Sequence, residues 1–326
     1  MKKRTMNLQQ FAAPDAISRL DAETLIPEQI TREIIQGVTE ESAVLALGKK
    51  LPNMTSNRTV MPVLDMLPVA YFVNGDTGTK KTTKMAWDNK KIYAEEIAVI
   101  VPIPEAVIDD ADYDIWGEVK PRLIESFGRK IDGAVLFGVD KPTQWRADVV
   151  TTASEAGNIV ADGDGESLYK LIMDEGGMIA KIEEAGFFPT GHMADISMRA
   201  RLRGLLDTTG QPIFKTDMQS GTNYTLDGSP MYFPRNGAFD KRKAMMISGD
   251  FSQLVYAIRQ DITFKIFDQG VIQDPTTGDI VYNLMQNDMV ALRAVMRLGW
   301  EIPNPINALA DDPAKRCPFS IMAQPS

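Results

Sequence analysis

Hydrophobic spacing along the chain is most regular between residues 97 and 138, IAVIVPIPEAVIDDADYDIWGEVKPRLIESFGRKIDGAVLFG. Ile97 to Pro102 reads as a buried strand, and Ile103-Pro104 stops it. Asp109, Asp110 and Asp112 then supply helix-start chemistry. Ile115, Trp116, Val119, Leu123, Phe127, Ile131, Ala134 and Val135 recur at three- and four-residue spacing, which predicts one apolar stripe along a helix over 115–138. The opposite face carries Glu118, Lys120, Arg122, Glu125, Arg129, Lys130 and Asp132. A helix of about 25 residues spans on the order of 35–40 Å. By periodicity alone it is the main core helix of a globular protein. Pro121 falls inside it and removes the hydrogen bond to the carbonyl of Gly117, four residues back, so a kink is expected near Gly117–Pro121.

The rest of the chain is less regular. Residues 1–24 read as an extended arm. From Leu25 to Leu51, Pro27 opens a helical pattern of Ile30, Ile34, Ile35 and Val38, and a short helical run at Val44–Leu47 ends at Gly48. Asn57 to Tyr93 reads as a long hairpin: an outgoing strand with Pro62 and Pro68, a tip NGDTGTKKT, and a return through Trp87. A hairpin of roughly 35 residues either folds back on its parent or lies on a neighbouring subunit. Ser167–Ala185 predicts one amphipathic helix ending at Gly186, and Met193–Leu206 another. Ile262–Phe267 alternates as a strand, Asp274–Asp279 makes a hairpin turn, and Met289–Trp300 fits a strand or a helix. Residues 311–326 read as a polar, proline-containing tail.

Composition narrows the function. At 326 residues, with 44% hydrophobic and 24% charged side chains, the chain can bury a core and has no run long and apolar enough for a membrane span. Its basic start, MKKR, lacks the apolar core of a signal peptide. Cys317 is the only cysteine, which precludes an internal disulfide and suits a reducing compartment. His192, the single histidine, reads as an exposed loop residue and precludes a His-rich metal cluster. A net charge of −9 argues against a dedicated nucleic-acid reader. NGDTGTKKT lacks the second glycine and the Gly-Lys pair of a phosphate loop, and DGDGES would place Val160 and Leu171 at calcium-ligand positions. No paired carboxylates or nucleophile context emerges, so no catalytic residue, cofactor or metal site is expected, and an enzyme is disfavoured.

Five stretches in order carry a resemblance: AVIVPIPEAVIDDADYDIW at 98–116, IDGAVLFG at 131–138, LDGSPMYFP at 226–234, MISGDFSQLVYAIRQDITFKI at 246–266 and MVALRAVMRLGWEIPNPINALA at 289–310. In the last, Arg297 precedes Pro305 by eight residues. Together they resemble the major capsid protein of tailed bacteriophages, whose fold is shared with herpesvirus capsid proteins and encapsulins. The resemblance implies an α+β phage major-capsid fold, with a peripheral domain built on the long spine helix, an axial domain, an extended β-hairpin loop and an N-terminal arm. On this chain these fall at 25–56, 93–145 and 283–310 (peripheral), 57–92 (loop) and 146–282 (axial), with the arm at 1–24 and the tail at 311–326.

The resemblance also implies hexamers and pentamers in an icosahedral shell around double-stranded DNA that is contacted only weakly. The intersubunit loop would present Asp76, Thr77, Lys80, Lys81, Lys84 and Trp87. A portal protein, decoration proteins and, since only a short arm precedes Leu25, a separate scaffolding protein are the implied partners. The location implied is the virion, assembled in the host cytoplasm. Some members weld a loop lysine to a neighbour's asparagine with a glutamate as catalyst. The matching positions here hold Asp288 and Val295, so non-covalent assembly is expected. An encapsulin-type nanocompartment shell is the alternative.

Overall fold

Two sheets meet on the C-terminal half of one long helix. The computed structural model describes residues 42–70, 72, 80, 82–111, 114–162, 167–205, 225–274, 276–310 and 312–324. The expected arm and the helical pattern from Pro27 to Val38 lie outside the described residues.

A short helix α1 (Ala43–Leu47) leads into β1 (Lys49–Lys50), and β2 (Arg58–Met66) with β3 (Ala86–Tyr93) forms the expected hairpin. Strand β4 (Glu95–Pro104) is longer than the pattern suggested. A separate short helix α2 (Glu105–Asp109) precedes α3 (Ile115–Phe137), so Asp109 and Asp110 end one helix instead of starting the next. After α3 come α4 (Val149–Glu155), β5 (Ile159–Ala161), α5 (Leu168–Met173), α6 (Met178–Glu184), β6 (Gly191–Ala194), α7 (Met198–Arg203), β7 (Thr225–Leu226), β8 (Ser229–Tyr232) and β9 (Met246–Gly249). The last five strands are β10 (Val255–Phe267), β11 (Val271–Gln273), β12 (Ile280–Asn283), β13 (Met289–Glu301) and β14 (Phe319–Ala323).

The first sheet has the order β1-β10-β13-β4, and α3 covers one face of it. Strand β13 settles the strand-or-helix ambiguity at 289–300. Leu292, Ala294, Met296 and Leu298 are buried while Arg293, Val295 and Arg297 are only half-buried, a period of two. Gly299 is obligatory there, since a Cβ on it would lie 2.3 Å from the carbonyl oxygen of Tyr93. The second sheet has the order β5-β14-β9-β6-β8-β7.

Ile131, Val135, Leu136 and Phe137 of α3 share one core with Met296, Leu298 and Trp300 of the first sheet and Ile247, Phe319 and Ile321 of the second. A satellite core under the second sheet is rich in methionine: Met178, Met198, Met231, Met246 and Met322. Methionine fills irregular gaps between short helices well because it is unbranched and flexible.

Several expectations are corrected. The single helix over 167–185 is two, broken at Gly176-Gly177, where Gly176 takes φ +78°. The helix expected from Met193 begins only at Met198, because Gly191–Ala194 pairs with β9 and β8 as a fully buried strand. Residues 312–324, within the stretch expected as a polar tail, contain a strand of the second sheet. This strand, β14, runs between β5 and β9, with Phe319, Ile321 and Met322 buried. Asn158 Nδ2 donates to the carbonyls of Cys317 and Phe319, at 3.1 Å each, and buried Arg316 donates to the carbonyls of Ala310 and Asn304. The strand expected at Ile262–Phe267 is longer, β10 starting at Val255, and it pairs with β13 in the first sheet. Among the described residues no helix is long and apolar enough to cross a membrane.

Candidate assembly surfaces

The hairpin β2–β3 is held at its base, by buried Val63 and by the Ile306 N–H on the Leu64 carbonyl at 3.1 Å, and is bare on one face. The strands pair from Arg58 opposite Tyr93 to Met66 opposite Ala86, with an irregularity at Asp65. Ile92 is fully buried and packs with Met54, Ala94, Val255 and Ala257. Farther out, Val60, Pro62 and Leu64 share a face with their cross-strand partners Lys91, Asn89 and Trp87. Trp87 is 63% exposed, and Val60, Met66, Val69, Phe72 and Met85 are exposed as well. Pro62 is tolerated because neither strand has a third neighbour that needs its missing N–H. A two-stranded ribbon with this much apolar surface exposed is a candidate docking surface. Of the expected loop residues, Lys80, Lys84 and Trp87 are exposed here, whereas Asp76, Thr77 and Lys81 lie outside the described residues. At the return strand Lys90 bonds Asp88 at 3.0 Å and holds that carboxyl below the usual aspartate range.

Helix α3 runs without interruption through Pro121. A Cβ on Gly117 would meet only the exposed Asp114 side chain, which can swing aside. Its apolar stripe packs on Val99 and Val101 of β4, on Leu292 and Ala294 of β13, and on Ile262 and Phe264 of β10. The two-faced pattern holds only for the first half. From Ile131 to Phe137 every residue is buried, since both sheets close around the helix. The helix ends at Gly138 in the left-handed region, φ 67°, and Lys243 Nζ donates to the Phe137 carbonyl at 2.8 Å.

Asp132 is thereby corrected from an exposed charge to one that is 1% exposed. Its carboxylate accepts from Ser42 Oγ at 2.5 Å, from the backbone N–H groups of Ala43 and Val44 at 3.0 and 3.1 Å, and from Asn236 Nδ2 at 2.6 Å. Burial pushes this carboxyl above the usual aspartate range, and its donors pull against that rise. The knot ties the start of α1 and the 236–238 loop to the middle of the core helix. One signal for it existed: Asp132 is the only charge between Lys130 and Asp140. Beside it, Arg129 Nε donates to the Asn236 carbonyl at 2.6 Å. A cleft of about 760 Å³ opens between α3, β4 and the 237–242 loop, lined by Phe127, Ala134, Trp145 and Phe239. Its rim charges Lys130 and Asp140, and Arg242 and Asp240, are paired with one another.

The two residues with candidate chemistry are both internal. His192 is fully buried on β6, not exposed in a loop, because Gly191–Ala194 is an inner strand of the second sheet. Its Nε2 faces the Leu226 carbonyl at 3.1 Å, which can only accept, so the ring proton sits on Nε2 and Nδ1 accepts from Ser248 Oγ at 2.9 Å. Burial lowers its pKa below 6.5. Cys317 is buried as well, and its thiol is pushed up to about 11 by desolvation. Among the described residues no group of three or more His, Cys, Asp or Glu side chains could hold a metal ion.

Comparison with known proteins agrees with this geometry. Residues 22–310 match the model of the phage capsid family. The chain is 27% identical over 313 residues to the major capsid protein of Staphylococcus phage 80alpha, covering 92% of each. A solved structure from Microbacterium phage Oxtober96 is 35% identical, with a TM-score of 0.80, over 95% of this chain and 99% of that one. A second, from Mycobacterium phage Cain, is 30% identical with a TM-score of 0.80, over 95% and 98%.

Proposed function

Since the chain belongs to the phage capsid family and is a major capsid protein of the virion, a component of its icosahedral shell, we propose that its copies first gather into hexamers and pentamers, joined by the β2–β3 hairpin lying over a neighbour. The observation that carries this is the bare apolar face around Trp87 on a two-stranded hairpin. A shell of many copies repeats each such contact, so modest interfaces sum to a container. Double-stranded DNA fills it and is contacted weakly, because a chain of net charge −9 has little to hold phosphates with. A portal protein, a separate scaffolding protein and decoration proteins complete the assembly.

In this reading the first sheet with α3 forms the peripheral domain, and strand β10 joins it. The second sheet forms the axial domain and takes in β14. The role is structural, with no catalysis and no cofactor. Assembly is non-covalent, because Asp288 and Val295 stand where a welded shell needs asparagine and glutamate. Electron microscopy of the purified protein tests the reading: closed shells of uniform diameter are expected, dissolving to a single 36.1 kDa band on a denaturing gel. Soluble, folded monomer at every concentration and with added scaffolding protein would refute it, and a ladder of high-mass bands would refute the non-covalent part.

A further inference from the structure

A second hairpin is as bare as the first. Strands β11 and β12 form a sheet of their own, and Val271, Ile280, Val281, Tyr282 and nearby Met285 are exposed, Met285 at 73%. Its charge is one-sided. Between Lys265 and Arg293 the sequence holds Asp268, Asp274, Asp279 and Asp288 and no lysine or arginine. Backbone N–H groups of Thr276 and Thr277 bond Asp274 and hold it below the usual carboxylate range, so it stays charged.

The opposite charge lies on the face of the first sheet turned away from α3. A polar pocket of about 220 Å³ there is lined by Glu96, Gln260, Thr263, Lys265, Arg293, Val295 and Arg297. Arg297 is paired with Glu96. Neither Lys265 nor Arg293 has an acidic partner among the described residues. Arg293 stacks over the Phe267 ring, 4.8 Å from its centroid, and its Nε is buried without a hydrogen bond. Ile100, opposite Arg293 in register, is exposed on the same face.

We propose that this pocket seats the β11–β12 hairpin of a second copy, with its aspartates on Lys265 and Arg293 and its bare apolar side chains on Ile100. Hairpin-on-hairpin contact would set four aspartates against four, which like-charge repulsion disfavours. A contact between two different patches of the same chain is heterologous, the kind that closes rings and shells. The proposal rests on the shell reading above.

A charge swap tests it. Lys265→Glu and Asp279→Lys alone should each raise the protein concentration needed for shells about tenfold or more, whereas the double variant should return it close to the wild-type value. Lys265→Cys with Asp279→Cys should give disulfide-linked chains on oxidation of assembled shells, free of background because Cys317 is buried. Circular dichroism of the unassembled variants confirms that the fold is kept. Single variants that assemble like the wild type, or a double variant no better than either single one, would overturn the contact. If the wild-type protein makes no shells at all, it is the shell reading that fails.

Discussion

At the scale of single residues, Asp132 is the costliest position to disturb. Removing its carboxylate leaves the Ser42 hydroxyl, two backbone N–H groups and the Asn236 amide facing each other in a site closed to water. Asp132→Ala should therefore cost about 3–5 kcal/mol in urea denaturation of the unassembled subunit. Asp132→Asn should fare little better, since its NH2 would point at donors. His192 carries the clearest pH signature. Its native pKa is lowered from 6.5 by burial, so between the two values the unfolded chain holds a proton that the native chain does not. Stability is then complete above about pH 6.5 and declines as the pH falls toward the native pKa. The one imidazole signal in an NMR titration should stay neutral below pH 6.5, and His192→Asn should flatten the dependence of the urea midpoint on pH over that window.

Among the elements, the hairpin and the spine helix separate assembly from folding. Trp87 is exposed within its own subunit, so Trp87→Ala should leave the melting temperature of the unassembled subunit within about a degree or two while weakening shell formation by about 2–4 kcal/mol per contact. Pro121 lies in α3 where its ring crowds the Gly117 carbonyl. Replacing it with alanine should stabilise the free subunit, measurable as a higher urea midpoint. Strand β14 belongs to folding alone. Truncation after Pro305 removes the strand between β5 and β9 and strips partners from Ile247 and Phe251, so the product should be insoluble instead of assembly-defective.

In the whole molecule, the pieces legible beforehand were those whose pattern is local. Apolar spacing over 115–138 makes a helix wherever it is placed, and the turn-rich NGDTGTKKT between two strand-like runs predicts a hairpin. The family resemblance, carried by the order of five short stretches, supplied the shell. Contacts distant in sequence stayed hidden. Nothing near Cys317 announces that Phe319–Ala323 is an inner strand, because its neighbours β5 and β9 lie some 160 and 70 residues away. Asp132 follows the helical period of a solvent face, and only the closing of both sheets around that turn, with Ser42 and Asn236 brought in from 90 and 104 residues off, makes it internal. Local periodicity thus determined the long helix and the hairpin. Tertiary structure decided which charges face water, since burial is a property of what packs on a side chain and not of its neighbours along the chain.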